Sequence, residues 1–432
     1  MTTNMIIMIV LFIVLMLLGF PVMFALGLPC VVWLLMNARM PATILSQNMM
    51  SYLNSFTLLC LPGFMLVGRL MNTCGVTDKL FNFALAMVGR FKGGMAYANC
   101  IASALFASMS GSAIADAGGL GLVEMRMMND AGYDPAFSAG VTAASSIIGP
   151  IIPPRAAMVL LGAIAGISVA EMFFGGILPG ILLCFALCLQ VWIITHFTKK
   201  GRNMPATPIP RKQALATIPA ALPALLTFIL ILGSILLGIC TTTEAAVIAV
   251  WYSIVLGICY KKVNLKNLWK TCKDTAEDCG PLFIIMTSAS MFSWIMTREG
   301  LPQILGGLMR GIAQNYSNTM VIFLCIIIFL FIGCFMDTTA AVILLAPIIM
   351  PIMNQLGVDS VYFGVLMILS LMVGIITPPF GICLFVVSGV AKLPVKAVTK
   401  ETVRYSPAMV LVIMLILFFP GIVEIIPRLF FR

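Results

Sequence analysis

The chain has 432 residues, of which 61% are hydrophobic and 9% charged, with a mean hydropathy of +1.12 and a formal net charge of +10. That composition excludes a soluble globular domain. The single histidine lies in the basic run HFTKKGR (196–202), which excludes a histidine-rich metal site, and the 13 cysteines contain no CxxC pair and read as small buried hydrophobes.

Along the chain, the opening MTTNMIIMIVLF lacks a basic n-region and continues into apolar sequence over 5–36. A membrane span is expected there, not a cleaved leader. Further apolar runs cover 177–194, 220–238, 320–335 and 409–419. Since a helix needs about 20 apolar residues to cross a bilayer, the whole predicts about ten to twelve crossings. Basic residues gather in short loops: Lys199, Lys200, Arg202, Arg211 and Lys212; then Lys261, Lys262, Lys266, Lys270 and Lys273; then Lys392, Lys396, Lys400 and Arg404. This is the pattern of cytoplasmic loops, not a nucleic-acid footprint.

Within this apolar background, SGSAIADAGGLG (110–121) collects hydroxyls, an acid and glycines. Its glycines weaken a continuous helix, and its hydroxyls suit a helix start. A re-entrant hairpin is the economical reading, because interrupted backbone at membrane depth must be covered by protein or line a cavity. GPIIPP follows at 149–154, where paired prolines break a helix and free carbonyls upstream. FMDTTAAVILLAP (335–347) again joins an acid to hydroxyls, and GIITPP (374–379) is a second proline break.

These features form an internal repeat. Gly149 and Gly374, Pro153 and Pro378, Pro154 and Pro379, and Ser112 and Asp337 are each 225 residues apart. Earlier pairs, Gly19 with Gly238 and Pro62 with Pro281, stand 219 apart. Basic loops of one copy correspond to neutral or acidic positions in the other: the loop with Arg90 and Lys92 matches neutral 315–318, and Lys396 matches Glu171. Alternation of this kind predicts copies of opposite orientation, an architecture of secondary transporters. The predicted organisation is a first inverted repeat over 1–198, a basic cytoplasmic linker over 199–212, rich in proline, and a second inverted repeat over 213–432. Each repeat would carry one hairpin and one broken helix. Buried Asp116 and Asp337 are functional candidates because ionisable groups within a span are costly. Glu244, behind three threonines, could serve as a helix cap or functionally. Arg69, Glu124 and Arg126 are expected to be interfacial or paired.

SGSAIADAGGLG, GPIIPP, GICTTTEAAVIAVWY (238–252), MDTTAAVILLAPI and GIITPPFG occur in this order. Together they resemble the large membrane subunit of tripartite ATP-independent periplasmic (TRAP) transporters over nearly the whole chain. The resemblance implies an all-α polytopic inner-membrane protein with an elevator-type scaffold and transport domain, in which 261–278 is an amphipathic part of the scaffold. It implies sodium-driven import of a small organic acid, such as a C4-dicarboxylate, sialic acid or another sugar acid. A periplasmic substrate-binding protein would deliver this small anion, and a small four-helix membrane subunit would accompany the chain. Sodium is then the coupling ion, and no organic cofactor is expected. Sodium ligands would come from the hairpin tips, Ser110, Gly111, Ser112, Asp337 and Thr338, and from the breaks, Gly149, Ile151, Pro153, Gly374, Thr377 and Pro378. Substrate would meet Ser110, Ser112, Asp116, Arg155, Asp337, Thr338 and Thr339.

Three departures stand out. The family's PPS reads Pro153-Pro154-Arg155, its TPTEAA motif loses the proline at Thr242, and no fused small subunit is present, so a separate partner chain is expected. Arg155 could pair bidentately with a substrate carboxylate, pair with Asp116 or another acid, or snorkel to an interface. An intramembrane serine protease lacks a histidine base, a zinc protease lacks HExxH, and an ATP-driven pump lacks GxxxxGK[ST]. The remaining alternative is a single-component sodium-coupled carboxylate carrier needing no binding protein.

Overall fold

The computed structural model describes residues 3–37, 40–41, 43–106, 113–198, 201–315, 317–378 and 380–431. Among them every regular element is helical. Lipid offers no partner to free N–H and C=O groups, so a spanning chain satisfies its backbone within helices. The first half holds α1 (Thr3–Leu17), α2 (Val22–Met36), α3 (Thr43–Leu53), α4 (Cys60–Thr73), α5 (Val76–Val88) and α6 (Gly94–Phe106). Beyond 107–112 come α7 (Ala113–Gly118), α8 (Leu120–Asp130), α9 (Pro135–Ser145), α10 (Ala156–Ala165) and α11 (Val169–Phe197). The second half holds α12 (Arg211–Leu236), α13 (Thr242–Cys259), α14 (Leu265–Arg298), α15 (Leu301–Asn315), α16 (Asn318–Gly333) and α17 (Thr338–Gln355). It ends with α18 (Ser360–Ile375), α19 (Ile382–Ala391), α20 (Val395–Thr402), α21 (Ser406–Phe418) and α22 (Gly421–Phe430).

Seven of the described helices are long and apolar enough to cross a membrane, or eight spans if one bent pair counts as a single crossing. Six further apolar helices among the described residues, including α6, α16, α18 and α19, are 10–17 residues long. The bent pair is the first proline break. A 3-10 turn, Gly149–Ile151, follows α9, the Pro153-Pro154 peptide is cis, and α10 leaves at 42°. In the second half, α18 ends at Ile375 and α19 starts at Ile382.

Helix starts recur between the halves: Val76 with Leu301, Gly94 with Asn318, Pro135 with Ser360, and Ala156 with Ile382. The halves also interlock. α10 packs on α17 from the other half, and α19 packs on α7 and α9. The linker is not a free tether. Thr207 N donates to Gly89 O at 3.0 Å, and Tyr133 OH donates to Pro205 O at 2.9 Å, fastening 205–207 to the α5–α6 and α8–α9 corners.

The residues of 261–278 run into α14, a single helix of 34 residues reaching Arg298. Arg69 of α4 pairs there with Asp274 at 3.5 Å and also with Asp278. Glu244 proves to be a cap: its carboxylate accepts from Thr241 N at 2.8 Å, and Thr241 Oγ1 accepts from Glu244 N at 3.3 Å. His196 lies against the Trp192 ring, and its Nδ1 is 3.0 Å from Trp192 O. All 13 cysteines are free thiols.

α16 and α18 cross in close contact at Gly333 and Gly374. A Cβ on Gly374 would stand 2.6 Å from Leu330 O and 2.8 Å from Gly333 Cα. Small residues permit this approach between membrane helices. Gly374→Ala is therefore expected to part the helices and cost about 1–3 kcal/mol. Gly307→Ala in α15, where a Cβ meets nothing within 4 Å, is expected to be neutral or stabilising. Thermal unfolding in detergent compares the two; equal midpoints would remove the crossing as a constraint.

Candidate functional site

The first break builds its site from extended backbone. Arg155 precedes α10 with φ −140° and ψ 140°. Its Nε donates to Ile152 O at 3.3 Å, and its Nη2 lies 3.7 Å from Asp116 Oδ2. Both side chains are in the interior, with 1% of Arg155 and 5% of Asp116 exposed. Here Arg155 pairs with Asp116, which joins α7 to the proline break. Burying two charges is costly, and close pairing offsets much of that cost.

Gly149 is the third member of this cluster. A Cβ there would stand 2.5 Å from Asp116 Oδ2 and 2.8 Å from Arg155 Nη2. The bare backbone at Gly149 thus makes the space that the ion pair fills. Ile151 directs its carbonyl toward α11, where a Cβ on Gly176 would come within 2.6 Å of the oxygen. Pro153 is buried. Ser146 Oγ lies 3.3 Å from Cys383 Sγ, which brings the start of α19 to the end of α9. Ser110, Gly111 and Ser112 lie outside the described residues.

The second half assembles a corresponding group. Asp337 caps α17 by accepting from Thr339 N at 2.9 Å. Thr338 is buried, with its hydroxyl 3.4 Å from Met372 Sδ on α18, and Thr339 is also buried. Thr377 donates its hydroxyl to Val373 O at 2.6 Å, and its N–H to Gly374 O at 2.9 Å. Because that hydroxyl proton is committed to Val373, the Thr377 oxygen keeps its lone pairs. Gly381 N donates to Cys334 O at 3.1 Å, tying the proline break to the α16–α17 turn. Pro378 is exposed at this turn.

The donors around both breaks are carboxylate, hydroxyl and carbonyl oxygens, the chemistry that suits a hard monovalent cation. Among the described residues no cluster of three or more His, Cys, Asp and Glu could hold a transition metal. Glu124, expected to be interfacial or paired, is buried in α8, 1% exposed. A carboxyl amid the apolar residues of GLGLVEM was the signal that could have singled it out. Arg126, two residues on, is exposed.

Interlocked helix breaks set among helices long and apolar enough to cross a bilayer define a polytopic membrane protein. The family profile described as "Tripartite ATP-independent periplasmic transporter, DctM component" matches residues 9–422, and the chain belongs to this family of inner-membrane TRAP large permeases. It is 36% identical to the sialic acid TRAP transporter large permease protein SiaM of Vibrio cholerae, over 95% of this chain and 96% of that protein. It is 32% identical to the C4-dicarboxylate TRAP transporter large permease protein DctM of the same species, over 96% and 95%. The sialic acid TRAP transporter permease protein SiaT of Haemophilus influenzae is 36% identical over 96% of this chain and 67% of its own length. Among solved structures, the Alcanivorax borkumensis YdaH transporter shares the fold, with a TM-score of 0.59 at 16% identity, covering 86% of this chain and 89% of that one.

The Asp116–Arg155 pair sets a double-mutant expectation. Removing one buried partner, in Asp116→Leu or Arg155→Met, costs about 3–5 kcal/mol, while removing both costs less than the sum. Gly149→Ala should mimic the single losses by forcing the pair apart. Unfolding midpoints that simply add in the double variant would mean that the two charges are not coupled.

Proposed function

We propose that this permease imports a small organic acid in symport with sodium, receiving it from a periplasmic substrate-binding protein and working beside a separate small four-helix subunit. The observation that carries the reading is the Asp116–Arg155 pair at the first helix break. It supplies a guanidinium at the junction of the two halves, already matched to a carboxylate. Relatives named for sialic acid, 2,3-diketo-L-gulonate and C4-dicarboxylates support an acid as the cargo.

In this reading a substrate carboxylate competes with Asp116 for Arg155 when the site opens. Ser110 and Ser112 would meet the same ligand from the first tip, and Asp337, Thr338 and Thr339 from the second. Sodium would sit on carbonyl and hydroxyl oxygens: Ser110, Gly111, Ser112, Gly149, Ile151 and Pro153 in one half, and Asp337, Thr338, Gly374, Thr377 and Pro378 in the other. The ion contributes charge that offsets the incoming acid. The hairpins and broken helices then move together against a scaffold that includes α14, an elevator motion. Halves of opposite orientation, meeting at the breaks, support such a cycle.

The test is uptake into proteoliposomes carrying this chain with its small subunit and binding protein, driven by an inward sodium gradient. Sialic acid, a C4-dicarboxylate and 2,3-diketo-L-gulonate are offered in turn. Arg155→Lys, which keeps the charge and loses the fork, should weaken apparent affinity for the accepted acid about ten- to a hundredfold. Asp337→Asn should sharply lower sodium-dependent uptake while the complex still assembles. Uptake indifferent to sodium, or equally rapid without the binding protein, would overturn the proposal.

A further inference from the structure

Glu124 remains outside every role given above. It is 1% exposed, and among the described residues its Oε1 has no hydrogen-bond partner. Gly121 and Met128, three residues before and four after, share its face of α8. A Cβ on Gly121 would stand 2.6 Å from Thr142 Cγ2, and Met128 Sδ is 3.9 Å from Asn99 Nδ2. That face therefore looks onto a polar group shared by α6 and α9. Asn99 Nδ2 donates to Thr142 Oγ1 at 2.8 Å, and Ser145 Oγ is hydrogen-bonded to Asn99 Oδ1 at 2.5 Å. Asn99 and Thr142 thus satisfy one another and do not form an open cage of oxygens around a cation.

The helices packed on α8 bring few charges. α7 contributes Asp116, the acid whose field reaches Glu124. α9 has no ionisable side chain. On α6, Tyr97 packs against Phe91, and Cys100 accepts from Cys184 through its carbonyl. On α19, Cys383 contacts Ser146. On α5, Asp78 is exposed, and Lys79 Nζ sits 3.2 Å from the centroid of the Tyr260 ring. Asp116 is itself engaged by Arg155, and among the described residues no basic side chain forms an ion pair with Glu124. An ionised carboxylate without donors is among the most expensive groups to bury, and its neutral form avoids most of that cost.

We propose that Glu124 is a proton-binding site of the transport domain, carrying its proton in this conformation and so bringing Asp116, Glu124 and Arg155 to electrical neutrality. The idea rests on the permease reading only for its consequence: a domain that crosses lipid does so without an unmatched charge.

The test needs neither substrate nor gradient, so its outcome is independent of the transport proposal. Infrared spectra of the purified full chain and of Glu124→Gln are compared at about pH 7, where exposed carboxyls are ionised. The wild-type-minus-variant difference should contain a carboxylic-acid C=O absorption, equally strong in choline chloride and in sodium chloride. If Glu124→Gln does not fold, Glu124→Asp keeps the acid and should shift that band in frequency. Absence of the band from both comparisons would overturn the proposal. So would its loss when sodium replaces choline, which would make Glu124 a sodium ligand instead.

Discussion

Lipid supplies no hydrogen bonds, and this constraint governs every interruption in the chain. A helix that stops within the bilayer exposes carbonyls and N–H groups that protein must cover. Here each half covers the other. α10, emerging from the first proline break, lies on α17, while α19, emerging from the second, lies on α7. The Gly381–Cys334 hydrogen bond fastens the second break to the neighbouring turn. Both breaks are thus packed against helices from the opposite end of the chain.

Charge follows the same logic. Arg155 and Asp116 reach the interior because extended backbone before α10 and the missing Cβ at Gly149 leave a slot for them. Polar groups nearer helix ends are settled locally: Glu244 within its capping box, Asp337 on Thr339 N, and Arg69 on Asp274. Asp116, Arg155 and Glu124 are instead buried in the interior.

Much of this was legible in the sequence because glycine, proline and hydroxyl residues leave marks at fixed spacing. The 225-residue offset aligned the breaks, and the helix starts at Pro135 and Ser360 follow it. The Asp116–Arg155 contact was one of the open alternatives, since an arginine buried near an acid has few other partners. Other features left no such mark. Gly149 and Gly374 were read as sources of carbonyl ligands; that one accommodates an ion pair and the other a helix crossing depends on contacts between segments distant in sequence. Glu124 was expected to be interfacial or paired, because a periodic pattern does not tell which side of a short helix faces protein.

The linker carries a mechanical implication. Residues 205–207 are fastened to two corners of the first half, and α12 starts at Arg211. Only 208–210 can pay out, and three residues extend to roughly 10 Å. The strap is therefore a leash of fixed reach. Any displacement of those corners from the start of α12 beyond that reach must break the hydrogen bonds that Thr207 and Tyr133 make, so the linker couples the two ends it joins.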